Sequence, residues 1–171
     1  TIQDMSKDFS YKDTPPEIAS YVYAKMAEIA NKTDLYDEVK EVSTKKALSF
    51  VPLLKDKLLN SKDKLLTATT IAVAWHVIDL AAAVEFDLKE ELENIVYRDF
   101  AYNDFDILKE KLTTAKSILV IGDNVGEHIF DYMFIETLQE LYPNVEYSYL
   151  VRGKPIINDV TIVEAKEAGF D

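Results

Sequence analysis

The segment KSILVIGDNVGEHIFDYMFIETLQELYP, residues 116–143, is the most informative part of the chain about its fold class. It opens with a short run of Ile, Leu and Val that ends at Gly122, which is the pattern of a buried strand. The residues that follow predict an amphipathic helix with one apolar side, formed by Ile129, Phe130, Met133, Phe134 and Leu138. A second strand is predicted in NVEYSYLVRG, residues 144–153. The order strand, helix, strand indicates a βαβ unit with parallel strands, and therefore an α/β fold.

Everything before this unit predicts helices. The helical segments have apolar residues at helical spacing and cover residues 13–31, 35–60, 61–86, 88–100 and 104–115. The second segment is compatible with one helix or with two, separated by a break near Ser43 or Pro52. The third is apolar on most faces, which is typical of a central, buried helix.

The chain therefore divides into a helical region, residues 1–113, and the start of an α/β domain, residues 114–171. A parallel sheet is normally covered on both faces, and a pair of strands alone does not make a stable one. We therefore expect the sheet to continue beyond residue 171, and the chain to be a fragment.

Composition excludes several classes of partner. The net charge is −12, and binding to nucleic acid or to an anionic membrane would require clustered Lys and Arg instead. The chain has no cysteine, so disulfides and thiolate metal sites are excluded, and a cytoplasmic location is predicted. No apolar run approaches the roughly 20 residues that cross a bilayer. The sequence does not indicate an oligomeric state.

Polar residues with the chemistry of a metal site follow both predicted strands. Ligands of open parallel sheets bind at the carboxyl ends of the strands, which lie along one edge. Asp123 and Asn124 come directly after the first strand, and Asp159 comes shortly after the second. Carboxylate and amide oxygens are the ligands that hard divalent cations prefer. The sequence therefore predicts that these three residues hold one divalent cation, with positions left for water and substrate.

Charged neighbours of these ligands suggest the substrate. Arg152 and Lys154 offer positive charge beside the predicted cation, which suits a phosphate group. Glu127 begins the helix after the first loop and is interpreted as a general base or as a support for the ligands. A turn without further function is the competing interpretation, because Asp, Asn and Gly are common in turns. His76 is predicted to be a core residue and His128 a residue on a helix surface.

These residues resemble the motifs of a known family. DNVGE, residues 123–127, is similar to the Asp-Asn-x-Gly-Glu motif of the damage-control phosphatase family, also called acidic-residue-methyltransferase-like. VRGKPIINDVT, residues 151–161, resembles the second signature of that family. Upstream, DLY at 34–36 with Lys40, and VID at 77–79, resemble its helical-region patterns.

The resemblance implies a helical N-terminal region packed on a Rossmann-like, mainly parallel sheet. It implies that Asp123, Asn124 and Asp159 bind manganese, cobalt, nickel or magnesium. The activity it implies is hydrolysis of small phosphorylated metabolites, such as sugar phosphates or damaged cofactor intermediates. From the same motifs, Asn158 and Asp79 are expected to bind the substrate.

Two alternative functions remain open at this point. Family members have been described as carboxyl methyltransferases, and Gly122 and Gly126 faintly match a nucleotide loop for S-adenosylmethionine. A module that binds a metal or metabolite without catalysis is the other alternative. It is motivated by Trp75-His76, which stands where the family usually has Gly-Asn near the phosphate.

Overall fold

Six helices and two strands make up the part of the chain that the structure, a computed structural model, describes. That part is residue 10, residues 12–81 and residues 102–170, with the helical backbone alone for residues 74–81. In chain order the elements are α1 (Pro15–Ala30), α2 (Asp37–Leu59), α3 (Lys64–Ala81), α4 (Phe105–Leu112), β1 (Ser117–Ile121), α5 (Glu127–Leu141), β2 (Glu146–Leu150) and α6 (Ile162–Ala168). The helix predicted at residues 88–100 lies outside the described residues.

Helix α2 runs without a break, so the break considered near Ser43 or Pro52 is wrong. Proline inside a helix removes the hydrogen bond to the carbonyl four residues earlier. Here both Pro52 and Leu48 lie on the exposed side of the helix. Water can therefore solvate the carbonyl that loses its partner, and the helix continues through the proline.

The two strands pair in parallel, as the βαβ pattern predicts, with Ser117 opposite Glu146 and Ile121 opposite Leu150. The described residues contain no further strand. The α/β class is therefore confirmed, and the larger Rossmann-like sheet stays a prediction. Alternate side chains of both strands are exposed. Leu119, Ile121 and Leu150 form an apolar patch on one face of the pair, with exposed fractions of 58%, 71% and 52%.

The helical layer and the βαβ unit share one hydrophobic core. Helix α3 packs along α5, and α2 contacts both. The buried cluster between them consists of Ala47, Leu54, Ile71, Ile129, Phe130 and Met133. Phe130 is the largest of its fully buried side chains. This core fixes the first turns of α5 against the helices and so holds the loop after β1 in place.

The predicted boundary between residues 113 and 114 falls between α4 and β1. Whether the two parts are separate domains stays a prediction. None of the described helices has the length and hydropathy needed to span a membrane.

Candidate metal and phosphate site

The loop after β1 and the segment after β2 pair with each other through their backbones. Val160 N–H donates to the carbonyl of Asp123 at 2.7 Å, and Val125 N–H donates to the carbonyl of Asn158 at 2.8 Å. Between these bonds, Asn124 and Asp159 form an antiparallel bridge. The structure thus brings together Asp123, Asn124 and Asp159, although 35 positions separate Asn124 from Asp159 in the sequence.

The side chains at this junction supply oxygen donors. Asn124 Nδ2 lies 3.5 Å from Asp123 Oδ2, and the side chain of Asp159, the bridge partner of Asn124, is almost buried. Among the described residues, no group of three His, Cys, Asp or Glu side chains is arranged to hold a metal ion. A cation here would therefore need the amide of Asn124 as well as the two carboxylates, a donor set that fits hard, oxygen-preferring divalent ions. Metal binding itself stays a prediction.

Arg152 is bonded to one of the predicted ligands. Its Nε donates to Asp159 Oδ2 at 2.6 Å, and its side chain is half exposed. Backbone bonds fix the same pair of segments, since Arg152 N–H donates to the carbonyl of Val160 at 3.0 Å. The sequence predicts that the Arg152 guanidinium lies near the substrate. In the structure this guanidinium also compensates the negative charge of Asp159. Lys154 lies exposed two residues further along the loop.

Two acidic side chains are buried in the part of α5 that directly follows the loop. Glu127 and Asp131, on the first turns of α5, are 5% and 7% exposed. The Tyr149 hydroxyl donates to Asp131 Oδ2 at 2.8 Å. Burial raises the pKa of the Tyr149 phenol, and the charges of Asp131, Glu127 and Asp123 raise it further. The phenol therefore stays protonated at neutral pH and acts as a hydrogen-bond donor to this acidic cluster.

His128 is buried, so its predicted place on a helix surface is wrong. The first turns of α5 are enclosed on all sides, from Glu127 to Asp131, which helical periodicity does not reveal. His128 Nδ1 accepts a hydrogen bond from Gly126 N–H at 3.0 Å. Burial lowers the pKa of His128 from 6.5 to about 4, against a smaller opposing effect of Glu164. The imidazole is therefore neutral and supports the turn that begins α5.

A buried lysine connects the helical region to the segment that carries Asp159. Lys40 on α2 is 2% exposed, and its Nζ donates to Asp34 Oδ2 at 2.7 Å and to Glu164 Oε1 at 3.0 Å. Burial disfavours the charged form, but the two carboxylates outweigh it and raise the pKa of Lys40 above its ordinary value. Glu164 in turn caps α6 by accepting from Thr161.

A small cavity adjoins the loop of Lys154. It has a volume of about 250 Å³ and lies between α1, the connection to α2, and residues 154–157. Its walls include Tyr23, Tyr36, Lys154 and Ile157. Ile157 has a φ of 46°, an unfavourable conformation for a β-branched residue. Such strain persists only where surrounding contacts impose it, as the pairing of Asn158 with Val125 does here.

Of the two predicted substrate-binding residues, Asn158 lies at the junction and is partly buried. Asp79 belongs to the last turn of α3, and its side chain lies outside the described residues, as do those of Trp75 and His76.

The profile of the damage-control phosphatase ARMT1-like domain matches residues 1–171. The chain belongs to this family. A damage-control phosphatase of Pyrococcus horikoshii is 30% identical over 168 residues, which are 98% of this chain and 57% of that protein. A damage-control phosphatase of Archaeoglobus fulgidus is 26% identical and covers 100% of this chain and 59% of the relative.

Solved structures agree with the family assignment. The crystal structure of a DUF89 family protein from P. horikoshii matches with a TM-score of 0.83 and 29% identity. The match covers 98% of this chain and 58% of that chain. The chain therefore spans a little under three fifths of the length of these relatives.

Sequence reasoning missed the residues that hold the family motif in place. No sequence pattern distinguishes Tyr149 from the other nine tyrosines. The spacing of Thr161 and Glu164 is that of a capping box and would have indicated the start of α6. The contact of Glu164 with Lys40 has no sequence signal, because it joins elements that are distant in the chain.

Proposed function

We propose that the protein acts as a metal-dependent phosphatase on small phosphorylated metabolites, such as sugar phosphates or damaged cofactor intermediates. The observation that carries this proposal is the pairing of residues 123–125 with residues 158–160. It brings the backbones of Asp123, Asn124 and Asp159 together at the carboxyl edge of a parallel strand pair, and the Arg152 guanidinium is hydrogen-bonded to Asp159. Membership of a family whose relatives are named damage-control phosphatases supports the same activity.

In this proposal the positively charged side chains of Arg152 and Lys154, on the segment after β2, bind the phosphate group. A guanidinium carries five N–H donors, so the bond from Arg152 to Asp159 leaves donors for phosphoryl oxygens. Lys154 lies exposed on the same loop and adds a point charge. Both charges would offset negative charge that develops during hydrolysis.

Asp123, Asn124 and Asp159 would hold the divalent ion, for which manganese, cobalt, nickel and magnesium are the candidates. When bound, such an ion polarises the phosphoryl group and makes water more acidic. Glu127 is the candidate base, because it starts α5 directly after the loop and its carboxylate is nearly buried. The bonded pair of Tyr149 and Asp131 would keep the neighbouring carboxylates in fixed positions.

The cavity beside Lys154 supports a small substrate. Its volume of about 250 Å³ is close to the lower end for small-molecule sites, and Tyr23 and Tyr36 offer aromatic rings in its walls. Asn158, and Asp79 at the end of α3, are proposed to contact the substrate as the family motifs imply.

Phosphate release from a panel of phosphorylated metabolites, with each divalent metal added to the intact protein, tests the proposal. Asp123→Ala should lower phosphate release at least about 100-fold, because losing a ligand exceeds the loss caused by outer residues. Asp106→Ala on α4, which removes an exposed carboxylate in a first helical turn, should leave it unchanged. Equal activities of wild type and Asp123→Ala would contradict the proposal.

Two further measurements on the same protein preparation test the alternative functions. Calorimetric binding of S-adenosylmethionine without added metal would favour a methyltransferase. Metal binding without phosphate release from any substrate of the panel would favour a non-catalytic module.

A further inference from the structure

We propose that Lys40 is a positioning residue for Asp159, and that it acts on the candidate metal site through Glu164. The proposal rests on the proposed metal site. Lys40 lies on α2, in the helical region, and forms no part of the two motifs at the sheet edge. Its effect would make the geometry of the site depend on how the helical region packs.

Each oxygen of Glu164 has a separate partner. Oε1 accepts from Lys40 Nζ at 3.0 Å, whereas Oε2 accepts from the backbone N–H of Thr161 at 2.9 Å and from its hydroxyl at 2.5 Å. The carboxylate therefore joins the ammonium of α2 to the first residue of the α6 cap. A rotation of the carboxylate away from Lys40 would also move Oε2 away from Thr161.

From Thr161 the connection reaches the metal ligands through the backbone. Thr161 follows Val160, whose N–H donates to the Asp123 carbonyl at 2.7 Å and whose carbonyl accepts from Arg152 N–H at 3.0 Å. Asp159 lies directly before Val160. A shift of Thr161 therefore moves the residue that joins both loops, and with it the carboxylate of Asp159.

Charge and burial explain why Lys40 controls this connection. Glu164 has only 16% of its side chain exposed, and Asp34 has 14%. Burial by itself raises the pKa of Glu164, but bonds from Thr161 and Lys40 outweigh burial and lower that pKa. Without the ammonium, a buried carboxylate would be left uncompensated, and it would turn toward water.

The experiment measures Mn²⁺ affinity of the intact protein by calorimetry for Lys40→Met and for two double variants. Lys40→Met should weaken Mn²⁺ binding about tenfold, as loss of a residue behind a ligand does. In Lys40→Met/Glu164→Gln the amide can still accept from Thr161 and needs no counterion, so affinity should return to within about threefold of wild type. Lys40→Met/Asp34→Asn is the matched control, because it neutralises the other carboxylate partner of Lys40. Its Mn²⁺ binding should stay as weak as that of Lys40→Met.

Amide hydrogen exchange in the metal-free protein gives a readout that does not depend on the metal. Lys40→Met should speed exchange at Val125 and Val160 about tenfold, on the same reasoning. The Glu164→Gln double variant should restore protection, and amides of α4 should not change. Uniformly faster exchange would overturn the proposal, because it would show a general loss of stability.

Equal rescue by Asp34→Asn and Glu164→Gln, or unchanged Mn²⁺ affinity in Lys40→Met, would also overturn it. If Lys40→Met does not fold, the two double variants are compared directly, and equal affinities contradict the proposal. A wild-type protein that binds no Mn²⁺ would contradict the proposed metal site instead, and the exchange comparison would still decide the role of Lys40.

Discussion

Among single residues, His128 makes the contribution to stability that depends most clearly on pH. Its pKa in the folded state is about 4, below the ordinary 6.5, because the imidazole is buried. Between these values the unfolded chain binds more protons than the folded chain, so stability falls as the pH drops from 6.5 to 4. The shift corresponds to about 3 kcal/mol, fully present above pH 6.5 and lost near pH 4.

Urea unfolding at several pH values, for wild type and His128→Asn, tests this prediction. Asparagine offers an oxygen near the position of Nδ1, so it can accept from Gly126 N–H without titrating. The free energy of unfolding of wild type should fall more steeply with acid than that of His128→Asn. Parallel curves would show that His128 titrates normally in the folded protein.

For the elements, the junction of β1 with its loop depends on the absence of a side chain at Gly122. A Cβ there would lie 2.3 Å from the Tyr149 hydroxyl oxygen and 2.5 Å from Cζ. Gly122→Ala must therefore displace the ring and break the bond from Tyr149 to Asp131. We expect a loss of about 1–3 kcal/mol in the free energy of unfolding.

Gly153→Ala is the matched control, because a Cβ there would have no atom within 4 Å. Its free energy of unfolding should stay within about 1 kcal/mol of wild type. Denaturant unfolding of both variants makes the comparison. Similar losses at Gly122 and Gly153 would mean that the close contact with Tyr149 has no energetic importance.

The sequence is most informative about the individual helices and strands. Local patterns are sufficient for α1, where Thr14 and two prolines mark the start, and for the βαβ unit, where apolar periodicity changes. The edge rule for parallel sheets correctly brought residues 123–124 near residue 159. Burial of His128 and the contact of Lys40 with Glu164 were missed, because both depend on packing between distant segments.

At the scale of the whole molecule, the shared core predicts that the helical region and the βαβ unit unfold together. Phe130 of α5 is fully buried against Leu54 of α2 and Ile71 of α3. Phe130→Ala should cost about 3–5 kcal/mol. Protection from amide exchange should fall by the same factor in α2 and in α5, because one core supports both.

Exchange measured by mass spectrometry on peptides from the two helices checks this expectation. Leu59→Ala, at the exposed end of α2, removes a side chain that is 73% exposed and should change stability by less than about 0.5 kcal/mol. If protection in Phe130→Ala were lost in α5 alone, the predicted division at residues 113 and 114 would be a boundary between independent folding units.

The ion pair of Lys40 also has a consequence for biosynthesis. Its two carboxylate partners differ greatly in sequence distance, since Asp34 is 6 positions away and Glu164 is 124 positions away. A ribosome that adds about 5–20 residues per second makes Glu164 roughly 6 to 25 seconds after Lys40. Throughout that interval the nascent helices must leave the ammonium hydrated or paired with Asp34 alone. Burial of the Lys40 ammonium on α2 away from water is therefore a late event in folding. It follows translation of the segment that carries Asp159.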